Sequence, residues 1–306
     1  MKFFIMGATG FIGKYLCRYL LEKHYKVVAL ARSNKKAELL PFGCKVVLGD
    51  PLRQGDWQKE VLDCDVIVNL VGRNIFTRWT PKVKEEIYLS RINSTKQAVK
   101  CLSSIKKRDA LLINANAIGY YGLRQTGSVD ENSPSGDDFL AKVCVDWQNV
   151  ALMKKDATKR VIIARIAPVL GKEGGMLAKI VPLFKIGLGG KIGSGRQSFS
   201  WIHIHDLARA VEFVVKTKHI QGPVNFCSPL SVTNYEFTNI LSGLLNKPAV
   251  FPVPSFVLKI LLKELGDILV SSSKVFPKVL LEEKFSFMFS NIEEALKDIL
   301  WGNTRK

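Results

Sequence analysis

"KFFIMGATGFIG", residues 2–13, decides the fold. A short apolar run suited to a buried strand leads directly into glycines at 7, 10 and 13, and a helical pattern, "FIGKYLCRYLLEKH", begins at Phe11. Glycines at that spacing let the chain turn sharply, bring backbone N–H groups close to a pyrophosphate and pack the helix tightly on the strand, while the helix N-terminus favours negative charge. The spacing is G-x-x-G-x-x-G rather than G-x-G-x-x-G. Its position after the first strand makes it a dinucleotide-binding turn.

Outward from this turn the pattern repeats. "KVVALA", "KVVLGD", "DVIVNLV", "ALLINA" and "RVIIARI" are dense in Val, Ile and Leu, as strands covered on both faces are, and stretches of helical period such as "TKQAVKCLSSIKK" separate most of them. That alternation predicts βαβ units and an α/β fold, a doubly wound parallel sheet of the NAD(P)-binding Rossmann type. After Pro168 the composition turns glycine-rich, and after Pro229 two helical patterns flank "NKPAVFPVP". We therefore expect a Rossmann domain over 1–170 plus 199–228, and a smaller substrate-side domain over 171–198 plus 229–306.

Composition narrows the function classes. Forty-five Lys and Arg against 27 Asp and Glu give a net charge of +18. The basic clusters, Lys35-Lys36, Lys106-Lys107-Arg108, Lys154-Lys155 and Lys159-Arg160, are small and dispersed, with no aromatic interleaving, so they read as a solvated surface that attracts an anionic ligand and not as a nucleic-acid interface. No run reaches the roughly 18 apolar residues of a membrane span. The longest, "SFVLKILLKELGDILV" from Ser255, is interrupted at Lys259, Lys263 and Asp267 and reads as a docked amphipathic helix. Six scattered cysteines without a C-x-x-C pair, and an N-terminus without the apolar region of a signal peptide, suit a reducing cytoplasm. A homodimer is compatible with this composition, which says nothing more of assembly.

The end of the second strand selects the dinucleotide. An NAD site offers a carboxylate there to bond the ribose hydroxyls. This chain offers "ALARSNKK", in which Arg32 and Ser33 suit a 2′-phosphate, so NADP(H) is expected.

"GATGFIG", "VNLVG", "RWTPKVKEEIYLSR", "NAIGYYG", "GLGGKIGSGRQSFSWIHIHDLA", "VTNYEFT" and "KVFPKVLLEEKFSFMFSNIEEAL" together resemble the YfcH-like family, described as epimerase-like or SulA-like, within the extended short-chain dehydrogenases/reductases. The resemblance spans nearly the whole chain. It implies an NADP-binding Rossmann domain with a short C-terminal domain. It also implies cofactor contacts from Gly7, Thr9, Gly10, Phe11, Ile12, Gly13, Arg32, Ser33, Asp50, Leu70, Val71, Gly72 and Arg91, with Ala167, Pro168 and Val169 beside the nicotinamide.

The wider superfamily uses a serine and a Tyr-x-x-x-Lys pair, in which tyrosine transfers a proton and lysine lowers its pKa and holds the nicotinamide ribose. Here Asn116 falls near the serine position. On the following helix, "DDFLAKVCVDWQNVA", Leu140 and Cys144 occupy the Tyr and Lys places, and the shifted register that uses Lys142 puts Asp138 at the tyrosine. The usual relay is missing. Tyr120, Tyr121 and Asn116 remain as candidate catalytic groups, with Asn114 and Asn116 expected on one strand face.

For the substrate, a mobile glycine-rich segment, 187–195, is expected to close over a small anionic carbonyl or hydroxyl compound, with Arg196 as its clamp and Trp201 and His203 bordering the cleft. His203 and His205 are too few for a metal, and Asp206 reads as the N-cap of "LARAVEFVV". Two readings stand: an NADP-dependent oxidoreductase or epimerase-like enzyme, and a non-catalytic NADPH-binding regulator.

Overall fold

The computed structural model describes residues 1–123, 127–153, 158–254, 256, 264–266 and 273–302. Lys154 and Lys155, and most of the amphipathic helix expected from Ser255, including Lys259, Lys263 and Asp267, lie outside the described residues.

Seven parallel strands form the central sheet: β1 (Lys2–Met6), β2 (Lys26–Ala31), β3 (Lys45–Leu48), β4 (Val66–Asn69), β5 (Leu111–Ala117), β6 (Arg160–Ile166) and β7 (Gly222–Phe226). Their order is β3-β2-β1-β4-β5-β6-β7, so the chain reverses direction across the sheet between β1 and β4. That crevice is where ligands of open α/β sheets bind. The first six strands coincide with the apolar runs of the sequence. The seventh, "GPVNF", is carried by pairing with β6, Val224 opposite Ala164, despite its Gly and Pro. One expectation needs correcting: β3 is not covered on both faces, because it is the edge strand and leaves Val46 and Leu48 exposed.

Alternation along each strand splits the apolar mass into two layers. Phe3 and Ile5 of β1 face a core with α1 (Phe11–Glu22) and α5 (Ile204–Lys216), whereas Phe4 and Met6 face one with Trp57, Cys101 and Leu102. The long α2 (Pro81–Ser104) starts at Pro81, with the Thr80 hydroxyl accepting from the Val83 amide at 3.2 Å. Its neighbour α3 (Phe139–Leu152) is capped by Asp138, whose Oδ1 accepts from the Ala141 amide at 3.0 Å. A third core joins α4 (Leu177–Lys185), α6 (Asn234–Leu245) and α7 (Ile292–Trp301) around Trp201, Phe184 and Phe237.

Part of the glycine-rich segment packs against residues 251–253 and the Phe184 ring. A Cβ on Gly190 would sit 1.8 Å from the Phe251 carbonyl oxygen, and one on Gly189 2.6 Å from the Phe184 ring. Val253 and Lys191 pair by a 2.9 Å backbone hydrogen bond, as do Gly193 and Val253. The glycines there permit close packing against 251–253.

Candidate active site

At the crevice the loops after β1 and β4 touch. Gly7 has φ +80°, and a Cβ on it would lie 2.9 Å from the Leu70 carbonyl carbon and oxygen. A Cβ on Gly13 would lie 2.3 Å from the Gly7 carbonyl oxygen, so α1 is packed onto its own entry turn. Only glycine fits either position. α1 begins after Gly10 with no side-chain cap and no acidic residue in its first turn. Its unpaired N–H groups are an anion cradle of the shape a pyrophosphate needs. Thr9, Phe11 and Ile12 complete the turn, with Phe11 reaching under Gly171 and Gly174.

Arg91 borders the same crevice. Its guanidinium carbon lies 3.2 Å from where a Cβ of Gly72 would stand and 5.2 Å from the Trp147 ring, and its Nη1 donates to the carbonyls of Ile87 and Arg73 at 2.9 and 3.2 Å. Burial holds its pKa below the usual value, and among the described residues no carboxylate pairs with it. A cation so placed suits a phosphate or a ribose. Beneath it, Asn69 Nδ2 donates to Asn114 Oδ1 at 2.8 Å and to Thr95 at 3.2 Å, Trp147 donates to Thr95 at 2.7 Å, and the Val71 amide donates to Asn69 Oδ1. This buried network fixes the ends of β4 and β5. At the far side of the crevice Arg32 is exposed at the end of β2, Ser33 caps the turn Asn34–Ala37, and Asp50 Oδ1 accepts from the Leu52 amide at the end of β3.

A cavity of about 380 Å³ opens beyond the ends of β5 and β6, where Ala117, Ile166, Ala167 and Pro168 form its floor. The single turn Ile118–Tyr121 and α3 form one wall, with a Cβ on Gly119 only 3.6 Å from that of Leu140. Met176, Ile180, Phe184 and Phe237 form the other. Leu140 therefore faces the cavity at the expected tyrosine place. One turn further, Cys144 is buried, and burial pushes its thiol up to about 12. Neither can relay a proton.

The candidate catalytic groups are engaged elsewhere. Tyr121 is fully buried, donates to Asn225 Oδ1 at 2.7 Å and accepts from Arg165 Nη1 at 2.9 Å; burial pushes its pKa up to about 12. Tyr120 lies flat under the same guanidinium, 3.5 Å from ring centroid to Cζ, and is absent from the cavity wall. Asn116 donates to the Cys144 carbonyl at 2.9 Å and accepts from the Ala117 amide, which ties β5 to α3. The Tyr121 hydroxyl and the Asn116 amide are thus bonded within the scaffold, and the Tyr120 ring packs on Arg165.

None of the expected substrate-side residues lines that cavity. Arg196 is exposed and outside the cavity wall, because its loop is held against 251–253. Trp201 is fully buried in the third core. His203 caps α5, accepting from the His205 amide at 3.1 Å, and faces a smaller cleft beside α1 with Nε2 3.4 Å from Asp298. Asp206, expected as that cap, is fully buried in the first turn and accepts from the Met288 and Phe289 amides at 2.9 and 2.8 Å. Among the described residues the cavity's one charged group is Asp138. Sequence reasoning considered Asp138 only as a failed tyrosine. It missed Ile180 and Phe184, although the apolar spacing of "MLAKIVPLFK" marks an amphipathic helix.

Sheet order, glycine turn and crevice together define a dinucleotide-binding protein of the extended short-chain dehydrogenase/reductase type. The NAD dependent epimerase/dehydratase family model matches residues 3–226, and the chain belongs to that family. A domain of unknown function, DUF1731, matches residues 253–299. The chain is 39% identical over 299 residues to an epimerase family protein SDR39U1 homolog, chloroplastic, of Arabidopsis thaliana, covering 97% of this chain and 86% of that one. The crystal structure of human epimerase family protein SDR39U1 with NADPH superposes with a TM-score of 0.86 at 30% identity, covering 98% of this chain and 99% of that one. A nucleoside-diphosphate sugar epimerase from Corynebacterium glutamicum superposes with a TM-score of 0.78 at 29% identity, over 98% of this chain and 58% of that one.

Proposed function

We propose that the chain is an NADP(H)-dependent oxidoreductase that reduces or oxidises a small carbonyl or hydroxyl compound without the Tyr-Lys relay of its superfamily. The observation that carries this reading is the cavity at the ends of β5 and β6, beside the crevice where the glycine turn, packed on itself at Gly13 and on the loop after β4 at Gly7, presents the uncapped N-terminus of α1. NADPH, bound there, supplies a hydride. The chain's own residues orient it: the first turn of α1 holds the pyrophosphate, Arg32 and Ser33 the 2′-phosphate, Arg91 the ribose side, and Ala167 to Val169 run beside the nicotinamide. The NADPH of the human relative and the exposed, carboxylate-free end of β2 support this choice of dinucleotide. The motifs that resemble the YfcH-like group belong to the same reading, and six cysteines without a disulfide among them suit a cytoplasmic, reducing compartment.

Leu140 and Cys144 favour a second reading, an NADPH-binding regulator that does not turn over. Deuteride transfer separates the two. NADPH deuterated at either face of C4 is incubated with the protein and a panel of carbonyl compounds, and products are read by mass spectrometry. Transfer from one face alone is expected of the enzyme. Tight NADPH binding with no transfer to any panel member would overturn the enzymatic reading.

A further inference from the structure

Resting on that reading of the cofactor crevice, we infer that the cavity takes a neutral, predominantly aliphatic carbonyl compound and rejects carboxylates and phosphates of the same size.

The surface of the cavity is mostly carbon, with Ile118, Leu140, Met176, Ile180, Phe184 and Phe237 among the lining. Its volume, about 380 Å³, falls in the range of about 300–1,000 Å³ typical of small-molecule sites. Three of the polar lining residues are turned to protein partners. Asn234 Oδ1 accepts from the Ile192 amide at 2.8 Å, Gln197 donates to the Ile192 carbonyl at 3.0 Å, and Ser200 accepts from the Val275 amide at 3.0 Å while bonded to Ser231. A ligand therefore meets mostly carbon, and its affinity must come from burying its own.

A buried anion is best held by a cation, and among the described residues the wall offers none. It offers a carboxylate instead. Asp138 Oδ1 is held by the Ala141 amide, and its Oδ2 lies 2.9 Å from where a Cβ of Gly122 would stand. An anionic ligand would be repelled at short range in a poorly hydrated space, whereas a hydroxyl or the hydrate of a carbonyl can donate to the carboxylate. A nucleotide-sugar, whose diphosphate requires cations, fits the wall poorly for the same reason.

The test is a titration of the full chain saturated with NADP⁺, with binding of NADP⁺ measured first and separately. 2-Octanone, 2-decanone and 2-dodecanone are compared with octanoate, decanoate and dodecanoate by displacement of Nile red. The ketones are expected to bind at least tenfold tighter than the matching carboxylates and to gain about three- to fourfold per added methylene, the value of burying one CH₂. Ile180→Trp should abolish ketone binding and leave NADP⁺ affinity unchanged. Asp138→Asn retains a good helix cap and should narrow the gap between ketone and carboxylate by about tenfold. Carboxylates that bind as tightly as ketones, affinity independent of chain length, or an unchanged gap in Asp138→Asn would each overturn the proposal. Failure of NADP⁺ to bind in the preliminary titration would instead strike the cofactor reading.

Discussion

Arg165 Nη1 donates to the Tyr121 hydroxyl at 2.9 Å in a site closed to solvent, and the same hydroxyl donates to Asn225 at 2.7 Å. One of the two candidate catalytic tyrosines is thereby the link between a buried cation on β6 and an amide on β7. Its hydroxyl has no proton to spare for a ligand.

Tyr121→Phe should consequently act on stability. Removing the hydroxyl leaves a buried guanidinium N–H and a buried amide oxygen each short of a partner, at a cost of about 1–3 kcal/mol. Urea denaturation should show that loss, while NADPH affinity by calorimetry stays within about twofold of the unmodified protein. A large change in affinity with unchanged stability would contradict the placement.

Gly13→Ala should damage the cofactor turn itself. The added methyl meets the Gly7 carbonyl oxygen at 2.3 Å and the Ala8 backbone at 2.7 Å, so α1 must move away from β1. We expect NADPH affinity to fall by at least about tenfold, the equivalent of ~1.4 kcal/mol, with a lowered Tm. A substitution silent in both measurements would show that the turn is looser than described.

Arg32→Ala tests the choice of dinucleotide. Charge-assisted hydrogen bonds to a 2′-phosphate are worth roughly 1.5–3 kcal/mol, so NADPH should weaken by about tenfold to a hundredfold. NADH, which lacks that phosphate, should be almost unaffected. Equal affinity of the unmodified protein for NADPH and NADH would reject the assignment.

Glu212 gives the fold a pH dependence. Burial pushes its carboxyl up, but hydrogen bonds from Lys216, Tyr19 and Tyr25 outweigh burial and hold its pKa below the ordinary value of 4.5. A carboxyl with a depressed folded pKa contributes stability that is present above the unfolded value and lost as pH falls through the folded one. Glu212→Gln should therefore cost about 1–3 kcal/mol at pH 7, and the difference from the unmodified protein should shrink below about pH 4.5. A difference that persists unchanged in acid would point to packing alone.

Local patterns made much of this molecule readable. The strand-glycine-helix junction and the first six strands follow from apolar runs and turn chemistry over a few residues each. The missing relay followed from residue types at fixed helical spacing, and Leu140 does face the cavity. Long-range packing determined the rest. Nothing within "GLGGKIGSGR" shows that residues 251–253 lie against it, so its glycines looked like hinges and Arg196 like a clamp. Tyr121 looked available because its partners, Arg165 and Asn225, are 44 and 104 residues away. Asp138 was visible as a helix cap only in hindsight, since its second role depends on the wall opposite.

That double role constrains how the cavity can diverge. A lineage that altered the charge at position 138 would also have to keep α3 started, and most replacements satisfy only one demand. Asparagine, serine and threonine satisfy both. Relatives that have shifted to anionic ligands should therefore carry one of those three residues there, and swapping them into this chain would be the mildest route to re-specifying it.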